Sequence, residues 1–366
     1  MNNRDTFFST LDDLHSLKGL EIGPLTSPVI KRKDIKKGGQ IFYLDHLATN
    51  ELKEKYREDN SVKTVDIQEV DFVCRNGDMV GAVAQNRFDY VVASHVIEHV
   101  PNVLKFLCDV YDLLVPGGIV FLVIPDKRFT FDVKRPQTSF GSLLESFYLN
   151  KNKPGVGAVY DHFSQAMRVS SHDVWYGSFR SEEATPLLSS SKAWALAESV
   201  HKNDEYLDVH VNVFTPQSFL EILKKAIEHD IVTFKVEKFC DTQSGHLEFM
   251  IALKKPASDL DELTKNSCLK TIPELHLENI LSPYMPQVKS LSKALESSTK
   301  TAQSLEKELT QSRRTVSEYE TKIHELKTKL HFKQSVLDRR IVKCSLLLAN
   351  AFHQFLGFLY KRRYKK

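Results

Sequence analysis

The residues best suited to chemistry are acids that end short apolar runs near the start of the chain. Glu21 and Gly23 end the first run, and Asp45 ends the second, 22 residues after Gly23. A glycine at such a turn lets the backbone approach a ligand closely, because it has no Cβ. An acid about 20 residues later is what a βαβ nucleotide site uses to bind ribose hydroxyls. The spacing therefore predicts a nucleotide-like ligand at these two strand ends.

A second group of reactive residues lies in the segment from Asp126 to His210. Asp126 follows an apolar run, and His162 and His210 come later in the same segment. Transfer of a group to a hydroxyl oxygen usually needs a base that takes the hydroxyl proton. Asp126, His162 and His210 are therefore the candidate catalytic bases. A structural or surface role is the alternative for each of them.

Charged residues beside Asp126 give this segment a candidate substrate site. Lys127 and Arg128 can hold an anionic acceptor such as a phosphate or a uronate. Asp132 belongs to the same predicted acceptor-binding group. The alternative is that Lys127 and Arg128 form salt bridges with Asp126 or Asp132.

Alternating strands and helices must position these residues. Apolar runs predict strands at 19–22, 40–45, 70–73, 88–93 and 119–124, and the stretches between them predict helices at 4–16, 48–58 and 103–114. Such alternation is typical of a parallel sheet, whose ligands bind beyond the carboxyl ends of the strands. A helix is predicted to begin at Thr215-Pro216, because proline is favoured at the first helical position. The strands predicted at 231–239 and 247–253 are joined by a turn of hairpin length.

The order of these motifs resembles that of class I S-adenosylmethionine-dependent methyltransferases, and in particular the small-molecule branch labelled methyltransferase type 11. The motifs are Glu21-x-Gly23-Pro24, Asp45, Asp71, the run 88–99 and the turn Leu114-Val115-Pro116-Gly117-Gly118. The resemblance covers residues 17–255. It implies a Rossmann-like, seven-stranded, mostly parallel sheet that ends in an antiparallel hairpin.

The resemblance implies S-adenosylmethionine as the cofactor and assigns residues to its methionine part. Gly23 and Pro24 would form the turn beside it, and Glu21 would lie near its amino group. Ser94 and His95 would lie beside the methionine end. No residue is assigned to a metal.

The same resemblance assigns residues to the nucleoside part. Asp45 would bind both ribose hydroxyls as a bidentate acceptor. Asp71 would accept a hydrogen bond from the adenine amino group, and Phe72 would pack on the ring. A solvated loop acid is the alternative for Asp71. Glu98 and His99 are interpreted as residues at a helix entry.

One residue departs from the family pattern. Many members have a second glycine where this chain has Leu25. Leu25 narrows the loop, although Pro24 and Pro28 can hold the turn rigid. The cofactor assignment therefore depends on how the backbone passes through Leu25.

Composition limits the class of protein. The net charge of +3 is too small to indicate nucleic-acid binding. The five cysteines are scattered, without a CxxC pair or histidines at zinc spacing, which favours free thiols in a reducing compartment. The N-terminus lacks the pattern of a secretory signal, so a cytoplasmic protein is expected.

The C-terminal third has a different pattern. The enzyme domain is predicted at 1–255, with an acceptor-binding cap at 126–212. Prolines in 256–284 indicate a linker between this domain and a long helix. Residues 285–340 carry an apolar heptad pattern, which predicts a self-associating coiled coil. A single solvated helix is the alternative.

Residues 341–366 combine Leu and Phe with a basic end, Lys361-Arg362-Arg363-Tyr364-Lys365-Lys366. A polar stripe interrupts the apolar residues, so a spanning helix of about 18 or more apolar residues is not predicted. The pattern favours an amphipathic helix that lies on an anionic membrane surface. A helix buried in an oligomer is the alternative.

Three functions fit these patterns. The favoured hypothesis is a methyltransferase at the inner face of a membrane that O-methylates a sugar or sugar phosphate in polysaccharide biosynthesis, by analogy with other membrane-bound enzymes. A second is a non-catalytic, membrane-associated interaction protein with a degenerate methyltransferase domain. A third is a methyltransferase acting on a lipid or quinone.

Overall fold

The computed structural model describes residues 3–9, 13–176, 184–257, 261–275, 322 and 347–356. The chain divides into two compact units, Met1–Pro283 and Tyr284–Lys366. The residues assigned to the cofactor, the catalytic base and the acceptor all belong to the first unit.

A seven-stranded sheet forms the centre of the first unit within the described part of the chain. Its strands are β1 (Lys18–Ile22), β2 (Gln40–Asp45), β3 (Phe72–Val73), β4 (Phe88–Ser94), β5 (Leu114–Pro125), β6 (Lys235–Cys240) and β7 (Glu248–Lys254). Their order is β3-β2-β1-β4-β5-β7-β6. The first five strands pair in parallel, and β7 pairs antiparallel with β5 and β6. The predicted Rossmann-like sheet with its antiparallel C-terminal hairpin is confirmed.

Helices connect these strands. They are α1 (Asn3–Ser9), α2 (Thr49–Lys55), α3 (Met79–Val83), α4 (Val103–Leu113), α5 (Phe140–Tyr148), α6 (Val156–Gln165), α7 (Ser171–Tyr176), α8 (Ser190–Asn203), α9 (Pro216–Glu228) and α10 (Glu262–Leu269). The helix predicted from Thr215-Pro216 is confirmed as α9: Pro216 is its first residue, and the Thr215 hydroxyl accepts from the Ser218 amide. Satisfying an otherwise unpaired amide in this way fixes the start of a helix.

The core lies on both faces of the sheet, because successive side chains of a strand point to opposite sides. In β4, Val91 is buried in the larger apolar cluster, whereas Tyr90 and Val92 belong to the cluster on the other face. The segment 126–212 has a small core of its own, in which Val159 of α6 packs with Ala197 and Val200 of α8. The segment predicted as a cap therefore folds around its own apolar centre.

The region after β7 differs from the predicted linker with little core. Residues 261–270 form α10 and its flanks, and Cys268 is only 2% exposed and belongs to the main apolar cluster. The prolines on which the linker prediction rested, Pro256, Pro273 and Pro283, are outside the helix itself. A helix of eight residues between them was not anticipated.

The second unit is described only at residue 322, which is helical, and at residues 347–356, which form a helix. Apart from residue 322, the coiled coil predicted for 285–340 lies outside the described residues. The two ends of the helix predicted at 341–366 lie outside them as well. Among the residues that the structure describes, no helix is long and apolar enough to cross a membrane.

Candidate functional site

The site begins where β1 and β4 end side by side. The chain runs outward from β1 through β2 to β3, then returns to add β4 on the other side of β1, so β1 and β4 form the topological switch point of the sheet. Open α/β sheets bind ligands at such a point. Gly23, which follows β1, has φ of +63°, and a Cβ there would lie 3.1 Å from Val96 Cγ2. The turn therefore favours glycine for its conformation, and a Cβ would also crowd Val96.

Glu21 stabilises the loop that follows Gly23. Its carboxylate accepts hydrogen bonds from the amides of Val29 (2.7 Å) and Ile30 (2.9 Å), and the residue is only 1% exposed. Burial raises the pKa of Glu21 to about 7, although the two amides oppose that shift. Glu21 thus fixes the backbone of this loop through the amides of Val29 and Ile30. Its predicted contact with a cofactor amino group stays a prediction.

Leu25 adopts the conformation that a glycine would supply. Its φ is +42°, in the left-handed region that side chains disfavour. The Leu25 carbonyl accepts a hydrogen bond of 2.8 Å from the Gln68 amide, which ties the loop to the segment before β3. The backbone at this position thus has the left-handed conformation typical of glycine, although the residue is leucine.

Asp45 lies at the carboxyl end of β2 and is buried, with 6% exposure. Its Oδ1 accepts from the His46 amide (2.7 Å) and lies 2.6 Å from His46 Nδ1. Among the described residues, none donates a hydrogen bond to its Oδ2. Oδ2 can therefore accept a hydrogen bond from a ligand, and a ribose hydroxyl would donate one.

Asp71 and Phe72 are already engaged by the protein. Asp71 precedes β3, and its Oδ2 accepts from the Tyr43 amide (2.7 Å) and pairs with Arg32. The Phe72 ring packs against Phe42, with centroids 5.6 Å apart. Asp71 is therefore a bound residue rather than a solvated loop acid, and its adenine contact stays a prediction.

His95 continues from Ser94 at the end of β4 in a constrained turn. Its φ is +54°, and its amide donates to the Val123 carbonyl. His95 Nε2 lies 2.8 Å from Glu248 Oε2, and the same carboxylate pairs with Arg4. Burial opposes ionisation of Glu248, but Arg4 and His95 together lower its pKa to about 2. Neither Arg4 nor Glu248 could be identified from the sequence, because the two residues are at opposite ends of the domain.

Asp126 forms a salt bridge with Arg128, which was the alternative to the substrate-binding role of Arg128. It is 0% exposed, and its carboxylate accepts from the Arg128 guanidinium and from the Thr242 hydroxyl (2.8 Å). Lys127 is buried as well, its Nζ donates to the Val133 carbonyl, and burial lowers its pKa to about 8. These contacts support the structural alternatives for Asp126 and Arg128, whereas Lys127 donates to a backbone carbonyl and not to the predicted Asp126 or Asp132. The roles of all three residues toward an acceptor stay predictions.

Asp132 and His210 form a buried pair. His210 Nδ1 lies 2.5 Å from Asp132 Oδ2, and Arg135 donates to the other oxygen of Asp132 (2.8 Å). Burial alone would raise the pKa of Asp132, but its contacts with His210 and Arg135 hold it below the ordinary value. His162 lies in the same cluster, because its Nδ1 accepts from the His210 amide (3.3 Å). Burial and the Arg135 charge lower the pKa of His162 to about 4.

The turn after β4 brings two more residues to this cluster. His99 Nδ1 lies 2.8 Å from Asp208 Oδ1, and the rings of His99 and His210 meet edge to face with centroids 4.7 Å apart. Glu98 is 1% exposed, and neither of its carboxylate oxygens has a hydrogen-bond partner. The residues interpreted as a helix entry therefore lie against the predicted base His210.

The strand order and the parallel core with its antiparallel C-terminal strands are those of the Rossmann-like fold of methyltransferases. Residues 49–226 match a family model described as a methyltransferase domain. The matched region runs from α2 to α9 and contains Glu98, His99, Asp132, His162 and His210. No curated protein matches the sequence.

This chain is similar to several solved structures that are described as SAM-dependent methyltransferases. A SAM-dependent methyltransferase from Aquifex aeolicus is 9% identical, with 69% of this chain and 89% of that chain covered and a TM-score of 0.35. An S-adenosylmethionine-dependent methyltransferase from Mesorhizobium loti is 14% identical, with coverages of 69% and 98% and a TM-score of 0.35. A structure from Methanosarcina mazei, also described as a SAM-dependent methyltransferase, is 14% identical, with 69% of this chain and 98% of that chain covered and a TM-score of 0.33.

The strand-end residues fit S-adenosylmethionine, the cofactor of this class. Gly23 has no Cβ to keep a ligand away from the backbone at the switch point, and Asp45 has an oxygen, Oδ2, to which no described residue donates. Asp45 and Gly23 would hold the nucleoside and methionine parts. Both were identified from spacing in the sequence, whereas the cluster around Glu98 was not, because its members come from two distant segments.

Proposed function

We propose that this protein transfers the methyl group of S-adenosylmethionine to a hydroxyl oxygen of a sugar or sugar phosphate. The observation that carries the proposal is the Asp132–His210 pair, which lies against the turn after β4. That turn follows Ser94 and His95, the residues assigned to the methionine end of the cofactor. A proton acceptor beside the donor of the methyl group is what O-methylation requires.

The reaction needs a balanced exchange of bonds. S-adenosylmethionine supplies an electrophilic methyl group on a sulfonium sulfur. The acceptor oxygen forms the new O–C bond, the S–C electron pair stays on sulfur, and the hydroxyl proton leaves to a base or to solvent. The chain must therefore align the hydroxyl with the methyl carbon and provide a path for that proton.

Among the three predicted bases, His210 is the best suited. Asp126 already accepts from Arg128 and Thr242. His162 accepts the His210 amide at Nδ1, which assigns its ring proton to Nε2 and leaves that nitrogen a donor. In His210, Nδ1–H donates a hydrogen bond to the Asp132 carboxylate, so Nε2 is left as an acceptor.

The acceptor class is supported by the polarity of this region. Glu98, Asp132, Asp208 and the two histidines gather several polar groups that a polyhydroxylated acceptor can use, whereas a lipid or quinone would favour an apolar cavity. Arg128 is engaged with Asp126, and Lys127 with the Val133 carbonyl. Because both cations already contact the protein, we favour a sugar hydroxyl over a phosphate as the group of the acceptor that this region binds.

Calorimetric titration with S-adenosylmethionine, followed by a methyl-transfer assay on glycan fractions from cells that lack the protein, tests the proposal. We expect binding of one cofactor per chain and transfer of labelled methyl to a saccharide. Absence of binding by a folded protein would support the non-catalytic alternative. Transfer to a lipid or quinone fraction alone would overturn the sugar assignment.

We further propose that the C-terminal segment attaches this enzyme to the inner face of a membrane and joins copies of it through the coiled coil. Support comes from the helix at 347–356, in which Leu348, Phe352 and Leu356 recur every four residues and are exposed by 41% or more. Such spacing places them on one helical face. Removal of residues 341–366 should move the protein from the membrane fraction to the soluble fraction, and unchanged partitioning would contradict attachment.

A further inference from the structure

Three side chains from two separate segments converge around the turn after β4. Ligand atoms of Glu98, His99 and His210 all lie within 4.8 Å of one another. Glu98 and His99 are neighbours in the turn, and His210 comes from the extended segment before α9. The backbone joins the two segments, because the Glu98 carbonyl accepts from the amides of Val211 (2.8 Å) and Asn212 (2.9 Å).

The two histidines are oriented alike. Asp208 engages Nδ1 of His99, and Asp132 engages Nδ1 of His210. Each ring therefore directs Nε2 away from its carboxylate, and among the described residues none forms a hydrogen bond with either Nε2. A carboxylate on one ring nitrogen is how proteins orient a histidine whose other nitrogen binds a metal.

Glu98 supplies an independent reason to expect a cation. Its side chain is 1% exposed, and both of its oxygens lack a hydrogen-bond partner. His95 Nδ1 and His99 Nε2 lie 3.5 and 4.0 Å from Oε1, too far for hydrogen bonds. A buried carboxylate without hydrogen bonds is costly, and buried charges are normally paired or coordinate metals.

We propose that Glu98, His99 and His210 bind a divalent transition-metal cation such as Zn²⁺. Two imidazoles and one carboxylate are the protein ligands of many catalytic zinc sites, and imidazole prefers zinc and its neighbours to magnesium or calcium. Ligand atoms about 2.1 Å from such a cation are about 3.4 Å apart. The observed separations reach 4.8 Å, so binding would draw the three side chains closer together.

The cation would lie between the turn after β4 and the segment 126–212, where the acceptor is expected. Three protein ligands leave coordination positions for acceptor oxygens. A hydroxyl that enters such a position has a lower pKa and becomes a better nucleophile. This role of the cation in catalysis rests on the proposed function. In it His210 would bind the cation through Nε2 and would no longer act as a base. The binding of the cation itself does not depend on that function.

The test uses the full chain without an affinity tag, treated with a chelator and then dialysed. Titration with Zn²⁺ is followed by calorimetry, and titration with Co²⁺ by the visible absorption of the bound ion. We expect one high-affinity site per chain, weakened about 100-fold or more in Glu98→Gln and in His210→Asn. His201→Asn and Glu58→Gln, which alter exposed residues, are the matched controls.

Circular dichroism and calorimetry with S-adenosylmethionine separate the outcomes. A wild-type chain that is folded and binds S-adenosylmethionine but takes up neither Zn²⁺ nor Co²⁺ would overturn the metal site and leave the proposed function intact. Zn²⁺ binding that is equal in wild type, Glu98→Gln and His210→Asn would locate the ion elsewhere and also refute the proposal. Metal binding without S-adenosylmethionine binding would support the site and contradict the methyltransferase function.

Discussion

Asp208 Oδ1 lies 2.8 Å from His99 Nδ1, while Asp208 Oδ2 lies 3.0 Å from Lys55 Nζ. This carboxylate thus fixes the His99 ring from one side and is itself held by a lysine of α2. Its contacts with His99 and Lys55 outweigh the effect of burial and hold the pKa of Asp208 far below the ordinary value. Asp208 is therefore a charged positioning residue, and it connects the segment before α9 to the turn after β4.

Asp208→Asn tests this positioning. The variant keeps the shape of the side chain but removes the charge that orients His99, so we expect Zn²⁺ affinity to fall by about 10- to 100-fold. Affinity for S-adenosylmethionine should stay unchanged, and calorimetry measures both. Asp204→Asn is the control, since Asp204 is an exposed residue at the end of α8. Equal losses in the two variants would argue against a specific role for Asp208.

Asp45→Ala tests the cofactor site. Charge-assisted hydrogen bonds contribute about 1.5–3 kcal/mol each, so loss of the two ribose contacts should weaken S-adenosylmethionine binding by about 100-fold or more. Asp66→Ala, at an exposed acid in the same region of the chain, should bind normally. Calorimetric affinity is the measurement, with circular dichroism to verify folding. An Asp45→Ala chain that binds like wild type would refute the ribose assignment.

Leu25→Gly and Leu25→Val test the glycine-like turn. A left-handed conformation costs about 1–2 kcal/mol for residues other than glycine, so glycine should preserve S-adenosylmethionine affinity to within about threefold, since it relieves that strain. Valine is less tolerant of positive φ because it is β-branched. It should lower the thermal midpoint and the affinity. The reverse ranking of the two variants would mean that the leucine side chain, and not the backbone conformation, shapes the turn.

Glu248→Gln tests the acid dependence of stability. The pKa of Glu248 is about 2 in the folded protein, below the ordinary value of 4.5. A depressed pKa contributes stability above the unfolded value, and that contribution is lost as the pH falls from about 4.5 toward 2. The difference in unfolding free energy between wild type and Glu248→Gln should therefore shrink over this range.

For this partly exposed ion pair, the loss in Glu248→Gln near neutral pH is expected to be about 1–3 kcal/mol. Denaturant unfolding between pH 2.5 and 7 provides the measurement. Glu58→Gln should follow wild type throughout, because Glu58 is exposed and distant from Arg4 in sequence. A constant difference between wild type and Glu248→Gln across the whole range would contradict the assigned titration.

Much of the fold could be predicted because its signals are local. Apolar runs bounded by turn residues located the strands, and Pro216 located the start of α9. The short strand β3 was predicted two residues too early, so that Asp71 precedes it. The small helix α10 was missed, since three prolines around it dominate the local composition.

The residues of the candidate site likewise differ in whether they could be predicted from the sequence. Gly23 and Asp45 could be identified from the sequence, because the spacing of one βαβ unit determines where both residues lie. The partners of Asp126 and the Arg4–Glu248 pair could not, because they depend on long-range packing. Residue type alone does not distinguish a lysine or arginine that binds substrate from one that neutralises a buried acid.

The sequence by itself determined that this chain forms a parallel α/β sheet with a glycine turn and an acid at the first two strand ends. Periodicity and spacing are properties of short segments, and they persist whatever the rest of the chain does. Only the tertiary structure brought Glu98 and His99 together with His210 and left the Glu98 carboxylate buried without a hydrogen bond. That arrangement arises from the crossing of two distant segments, whose meeting depends on the packing of the whole domain.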